Sequence, residues 1–287
     1  RDYGKYFNIN YMLDKDIVRR RLDSGITYAE FSYMILQALD YLHLNSEFDC
    51  TLQVAGQDQW GNITAGIDLI RKKTGKEVYA FTMPLLTKAD GTKFGKSEGG
   101  AIWLDREKTT PYEMYQFLIN AEDSKVIDYL KFLTFLSKEE IEKIEKEQLE
   151  APEKRIAHKA LAREVITFIH GEDAYNEALN ISEALFSGNI KNLTSKEIEM
   201  AFKGLDKLVI DKDMNIVDFL VEYNICSSKR ESREFVNNNS ISINGEKINS
   251  LDFTIDKSIA IDNKYVVVRR GKKKYFIACF GGKNEEE

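Results

Sequence analysis

TLQVAGQDQWGNITAGIDLIRKKTGKEVYAFTMPLL (51–86) reads as strand, glycine turn, helix, strand. TLQVAG (51–56) and VYAFTMPLL (78–86) carry the β-branched and apolar runs of buried strands, and 62–73 between them has helical periodicity. A further helix is predicted upstream over 28–43. Strands alternating with helices argue for a parallel sheet with crossover helices, an α/β fold whose ligands sit outside the carboxyl ends of the strands. QVAGQDQWGN (53–62) occupies that position, with polar side chains between a strand and the helix that follows. Gly56 and Gly61 permit close backbone approach to a ligand, Asp58 can accept two ribose hydroxyl hydrogens, and the amides of Gln53 and Gln59 can read a carboxylate or carbonyl. Trp60 reads as packing.

Working outward, the helix YAEFSYMILQALDYLH carries an apolar stripe of Phe31, Ile35, Ala38 and Leu42. Tyr33, Gln37 and Asp40 fall on a second face. If that face is covered, the three polar groups converge and require a partner; otherwise they form an outward polar stripe. Downstream, KADGTKFGKSEGG (88–100) has the composition of a phosphate loop without its spacing. A Walker loop requires G-x-x-x-x-G-K-[ST], and counting back from Gly95-Lys96-Ser97 places Asp90 where the first glycine belongs. The loop alone therefore reads as a solvated turn with flexible lysines. Beside a ribose acceptor and amide clamps it describes a nucleotide site that holds phosphate charge with mobile cations.

After Thr110-Pro111 the pattern becomes helical, through YEMYQFLIN, DYLKFLTFL, SKEEIEKIEKEQLE and APEKRIAHKALAREVITFIHG. Ser137 and Glu140 form a capping box, Pro152 suits a first turn, and Gly171 is placed to stop a helix. From about 213 the texture changes again, with helices predicted over 215–224 and 228–237 and then the alternating segments SISING and YVVVRRGKKKYFIACF. Ser227 or Ser228 can cap a helix presenting Lys229, Arg230 and Arg233, and Asn244-Gly245 makes a tight hairpin. With Arg269, Arg270, Lys272, Lys273 and Lys274 these form a local basic cluster, either a solvated surface or a contact for RNA phosphates.

The basic cluster must act locally, because 41 Lys+Arg stand against 47 Asp+Glu, a formal charge of −6. Three distant cysteines, Cys50, Cys226 and Cys279, lack metal-ligand spacing and read as reduced thiols of a cytosolic protein. The sequence contains neither a membrane-length apolar run nor a secretory leader, so a cytoplasmic protein with no membrane partner and no metal site is expected.

Taken together, YMILQALD, QVAGQDQWGN and KFGKS resemble the bacterial tyrosyl-tRNA synthetases, class I enzymes on a Rossmann-type catalytic domain. The likeness continues through APEKR, HGEDA, EALFSG and RRGKKKY. It implies the C-terminal half of a Rossmann-type catalytic domain at 1–108, a helical, anticodon-binding-like domain at 109–205 and a small α+β αL RNA-binding domain at 213–280. It also implies activation of tyrosine with ATP, accompanied by Mg2+, transfer to tRNA(Tyr), and a homodimer. By resemblance, KFGKS is the variant of the K-M-S-K-S signature: Lys93 and Lys96 hold the pyrophosphate end of ATP and Ser97 completes the loop. Tyr33 and Gln37 look like the pair that receives the tyrosine ammonium, Asp40 the acceptor of its phenolic hydroxyl, Gly56 and Asp58 the ribose turn, and Gln53 and Gln59 contacts to tyrosine and the adenylate. The C-terminal segment resembles a small domain shared with a ribosomal protein. Two departures stand out. Ala55, Gly56 and Gln57 replace two glycines and a serine, and no histidine among His43, His158 and His170 lies in an H-I-G-H-like context. The resemblance places that motif before Arg1, so an N-terminally truncated catalytic domain is expected, and the 287 residues alone are expected to form no adenylate. The competing reading is an RNA-binding fragment without adenylation activity.

Overall fold

The computed structural model describes residues 2–97, 100–272 and 274–281, with Lys96 and Ser97 described by their backbone only. The chain divides into two units, Arg1–Phe94 and Gly95–Glu287.

In the first unit, two short helices, α1 (Ile9–Leu13) and α2 (Asp16–Arg19), precede α3 (Tyr28–Phe48). α3 starts at a reciprocal cap: the Glu30 amide donates to the Thr27 hydroxyl (3.3 Å) and the Thr27 amide to the Glu30 carboxylate (3.0 Å). It runs to Phe48, five residues beyond the 28–43 predicted, and the left-handed φ of 53° at Asp49 ends it. β1 (Leu52–Gly56) leads through a 3-10 turn, Gln57–Gln59, into α4 (Trp60–Thr74) and then β2 (Tyr79–Met83). β1 and β2 pair in parallel, from Leu52 opposite Tyr79 to Gly56 opposite Met83, as the strand–helix–strand pattern requires. β2 stops short of the predicted 78–86 because Pro84 has no amide hydrogen for the ladder.

Met34, Ala38, Tyr41 and Leu42 of α3 pack against Ala65, Leu69 and Ile70 of α4. The predicted stripe is thus rotated: Phe31 and Ile35 are only half-buried, while Tyr41 is enclosed because its hydroxyl donates to the Tyr79 carbonyl at 2.8 Å. The other face of the two-stranded sheet is apolar and open, with Leu52, Val54, Tyr79 and Phe81 between 43% and 62% exposed.

In the second unit, β3 (Lys96–Ser97) pairs antiparallel with β4 (Gly100–Ala101). Six helices follow: α5 (Pro111–Ile119), α6 (Val126–Leu133), α7 (Lys138–Glu150), α8 (Ile156–His170), α9 (Glu172–Ser187) and α10 (Ser195–Ala201). The Ser137–Glu140 capping box forms, and Gly171 separates α8 from α9 at φ 90°. The C-terminal part contains β5 (Lys207–Ile210), β6 (Met214–Asn215), α11 (Ile216–Glu222), α12 (Lys229–Asn237), β7 (Ile241–Ile243), β8 (Glu246–Ile248), β9 (Thr254–Ile255), β10 (Tyr265–Arg270) and β11 (Lys274–Phe280). Five strands form a sheet in the order β5-β11-β10-β7-β8, with β5 parallel to β11 and the other pairs antiparallel.

One face of this sheet places Val266 and Val268 against Phe219 and Leu220 of α11 and Val236 of α12. The opposite face places Tyr265, Val267 and Ile277 against Ile181 of α9 and Ile198 of α10. The helices and the sheet therefore share a core. Asn244 (φ 49°) and Gly245 (φ 92°) form the predicted hairpin turn, and a Cβ on Gly245 would lie 1.7 Å from the Gly188 carbonyl oxygen.

Candidate functional site

The first site residues stand where β1 ends. Gly56 has an ordinary φ of −68°, so its glycine answers to space: a Cβ there would come 2.9 Å from an Asp58 carboxylate oxygen and 3.0 Å from Leu85. Gly61, in contrast, would accept a Cβ with its nearest neighbour at 3.7 Å, so of these two glycines only Gly56 sits at a close approach. Gln59 is oriented by Asn62, whose amide donates to its Oε1 at 3.2 Å. The sequence reading did not single out Asn62; the i, i+3 spacing at the start of α4 was the available signal. The Gln53 Oε1 is enclosed and has no hydrogen-bond partner among the described residues, an acceptor that burial makes costly to leave unpaired.

The lysine-bearing loop is a hairpin. The Phe94 amide donates to the Leu86 carbonyl (3.0 Å) and the Lys88 amide to the Thr92 carbonyl (2.8 Å), while Gly91 takes a φ of 82° at the tip. The Asp90 carboxylate accepts the Thr92 hydroxyl (2.6 Å) and amide (2.8 Å), bonds that hold its pKa below the usual value and close the turn. Across this hairpin Lys93 Nζ donates to Asp58 Oδ2 at 3.0 Å, with side-chain exposures of 57% and 33%. The fold thus joins a candidate phosphate lysine to the candidate ribose acceptor, 35 positions apart. The side chains of Lys96 and Ser97 lie outside the described residues.

Tyr33, Gln37 and Asp40 share the uncovered side of α3: Tyr33 is 57% exposed, Asp40 exposed and Gln37 half-buried. None of the three side chains has a hydrogen-bond partner among the described residues, so in this structure they form the outward polar stripe rather than a covered, converging set.

In the C-terminal part, Ser228 caps α12 by accepting the Glu231 amide at 3.2 Å, and Ser227 donates to the Glu231 carboxylate. Arg230 and Arg233, three apart on α12, are exposed and make no ion pair among the described residues, whereas Lys229 pairs with Asp218 at 2.7 Å. The neighbours Arg269 and Arg270 point to opposite faces of the sheet, as a strand's period of two demands. Arg270 donates to the Ile225 carbonyl and lies over the Phe235 ring, so its guanidinium is occupied inside the fold. Lys272 is exposed, and Lys273 lies outside the described residues.

The histidines stay outside these groups. His158 is fully buried with Nε2 3.0 Å from the Ala121 carbonyl oxygen, and burial holds its pKa below the ordinary 6.5. Among the described residues no helix is long and apolar enough to cross a membrane.

Comparison with known proteins gives the arrangement a context. The family described as tRNA synthetases class I (W and Y) matches residues 1–187, and the tyrosine–tRNA ligase SYY-like C-terminal domain matches 197–278. A tyrosine–tRNA ligase of Staphylococcus carnosus is 57% identical over 98% of this chain and 67% of its own length. Tyrosine–tRNA ligase 1 of Bacillus subtilis is 52% identical, again over 98% of this chain and 67% of its own. Among solved structures, a C-terminally truncated mitochondrial tyrosyl-tRNA synthetase of Aspergillus nidulans superposes with a TM-score of 0.55 at 36% identity, over 65% of this chain and 53% of that one.

Proposed function

The chain belongs to the class I tRNA synthetases of the tryptophan and tyrosine type, and we propose that it acts as a tyrosine–tRNA ligase, binding tyrosine and MgATP at the end of β1 and holding tRNA through its C-terminal sheet domain. The observation that carries the assignment of roles is the Lys93–Asp58 pair, which joins the QVAGQDQWGN turn to the KFGKS loop. We infer three functional segments, 1–108 for amino-acid activation and 109–205 and 213–280 for tRNA, in a cytoplasmic homodimer.

In adenylate formation the tyrosine carboxylate oxygen bonds to the α-phosphorus of ATP while the bond to pyrophosphate breaks, leaving negative charge on the departing group. Lys93, on the hairpin that Asp90 closes, and Lys96 offset that charge. Before substrate arrives, Lys93 and Asp58 neutralise each other. An ion pair this exposed contributes only about 0–1 kcal/mol, so exchanging it for substrate contacts costs little. Asp58 then accepts ribose hydroxyls, with Gly56 leaving room for its carboxylate. Tyr33 and Gln37 receive the tyrosine ammonium, Asp40 accepts the phenolic hydroxyl, Gln53 Oε1 gains the donor it lacks, and Gln59 contacts the adenylate. Ser97 completes the loop.

Transfer then requires a tRNA hydroxyl to attack the tyrosyl carbonyl with AMP leaving. Arg230 and Arg233, free of carboxylates among the described residues, suit RNA phosphates; Lys229, Arg270 and Lys272 extend the basic surface, Arg270 through its position alone. Single-turnover kinetics test the catalytic assignment: Lys93→Ala should slow adenylate formation with tyrosine affinity retained, and a loss confined to tyrosine binding would remove Lys93 from the phosphates.

A further inference from the structure

Lys247, Ser242 and Arg269 are direct cross-strand neighbours on β8, β7 and β10, so they form a row on one face of the sheet. It is the face that Tyr265 and Val267 place against α9 and α10, continued past the end of that packing. The α12–β7 connection, Asn239 and Ser240, and the β10–β11 turn, Gly271 and Lys272, wall the row in and are tied together where the Gly271 amide donates to the Ser240 carbonyl at 2.8 Å. These residues line a cavity of about 320 Å³. Among the described residues no carboxylate lines it, whereas three cationic side chains do.

Inside it the hydrogen bonding is incomplete. Arg269 Nε is enclosed with no partner among the described residues, and its Nη2 reaches only Ser242 Oγ, at 3.4 Å. Ser242 itself is 3% exposed. A half-buried guanidinium with an idle N–H, flanked by two lysines without ion pairs among the described residues, calls for an anion. The remaining lining is neutral and two-sided: an amide on Asn239 and hydroxyls on Ser240 and Ser242, groups that both donate and accept. The lining is therefore not cationic alone, and the cleft, half open to solvent, reaches the range of about 300–1,000 Å³ that holds whole small molecules.

We propose that this cavity is a subsite for one unpaired nucleotide of the bound RNA, with its phosphate on Arg269 and Lys272, Lys247 at the mouth, and the edge of its splayed base read by Asn239, Ser240 and Ser242. Recognition of unstacked bases on their hydrogen-bonding edges is how proteins read single-stranded RNA. The proposal rests on the reading of the C-terminal part as a tRNA-holding domain, and its test separates the two.

The test measures tRNA(Tyr) binding across a salt titration for four variants, with thermal melts to confirm folding. Asn239→Gly removes the amide while keeping a residue suited to the left-handed φ of 51° at that position. It should weaken binding about 5-fold, the worth of one neutral hydrogen bond, with the salt slope unchanged because no counterion is released. Arg269→Gln should weaken binding about 10–100-fold and reduce the log–log slope by about one. Arg269→Lys should retain the slope and still lose affinity, because a point charge cannot fill the fork. Free uridine monophosphate should shift the backbone NMR signals of Ser240 and Ser242 at lower concentration than inorganic phosphate does. Equal response to inorganic phosphate, or Asn239→Gly binding as well as the parent protein, overturns the nucleotide subsite. If the pocket variants are silent while a fourth, Arg230→Ala with Arg233→Ala, weakens binding, the subsite falls and the RNA reading stands. If all four are silent, both fall.

Discussion

Lys93→Ala separates what the Lys93–Asp58 pair does for the fold from what Lys93 does for the reaction. The pair is 3.0 Å long but lies at exposures of 57% and 33%, so solvent screens it. Its loss should lower unfolding free energy by less than about 1 kcal/mol in a denaturant titration. Loss of one preorganised group aimed at transition-state charge costs about 10²–10³ in rate. The rate effect should therefore exceed the stability effect several-fold in free energy. Asp58→Asn completes a double-mutant cycle. If Lys93 serves only to hold Asp58, the second substitution adds nothing; if Lys93 acts on the phosphates, Lys93→Ala should cost a similar 10²–10³ in the Asp58→Asn background as well. Stopped-flow measurement of adenylate formation at saturating tyrosine and ATP gives all four rates. A Lys93→Ala effect that vanishes in the Asp58→Asn background would refute the phosphate role, and a tyrosine dissociation constant raised in proportion to the lost rate would do the same.

Other consequences are as specific. Asp40→Asn should lower kcat/KM for tyrosine by about 10–100-fold, the worth of a hydrogen bond to a charged group, and leave the residual activity toward phenylalanine unchanged; equal losses for both substrates would take Asp40 off the phenolic hydroxyl. Arg230→Ala with Arg233→Ala should reduce the salt slope of tRNA binding by about one unit per phosphate contact, and a parallel-shifted salt titration would return both arginines to solvent. Gly245→Ala should destabilise the second unit by roughly 2–4 kcal/mol, combining left-handed strain with a Cβ forced onto the Gly188 carbonyl, whereas Gly188→Ala, whose nearest contact is an ordinary 3.7 Å, should cost only about 1 kcal/mol; equal melting shifts would contradict the close approach. Burial pushes the His158 pKa below 6.5 in the fold, against the Asp123 carboxylate oxygen 3.1 Å from its Nε2. At pH above 6.5 both states are neutral there; as pH falls through 6.5 the unfolded chain takes up the proton first, so stability should decline until the lowered folded pKa is passed. Denaturant titrations of the parent and His158→Gln from pH 7.5 to 5 read this, and identical pH slopes would exclude His158 as the cause.

Local rules explain which parts of this structure were legible from sequence. Strand–turn–helix–strand at 51–86 gave the parallel β1–β2 pair, and Ser137 with Glu140, Gly171 and Asn244-Gly245 each took the cap, stop or turn that their chemistry favours. Rotation of α3 was not legible, because an enclosed Tyr41 depends on a carbonyl of β2 that lies 38 positions away. β5 went unread since four residues, KLVI, become a strand only by pairing with β11, some seventy positions later. At the candidate site the residue types and their order were readable, but the Lys93–Asp58 pair follows from the Asp90-closed hairpin, a tertiary outcome. Arg269 and Arg270 illustrate a signal present and unused: strand alternation alone separates them, sending one to the Ile225 carbonyl and the other to a polar cavity.

The central claim is that these residues activate tyrosine. Amino-acid-dependent exchange of pyrophosphate into ATP, measured on the protein as its own cell makes it, tests that claim most directly. Exchange should depend on tyrosine, be negligible with tryptophan or phenylalanine, and fall by about 10²–10³ in Lys93→Ala. Exchange supported by tryptophan, or tyrosine-dependent exchange indifferent to Lys93, would contradict the account.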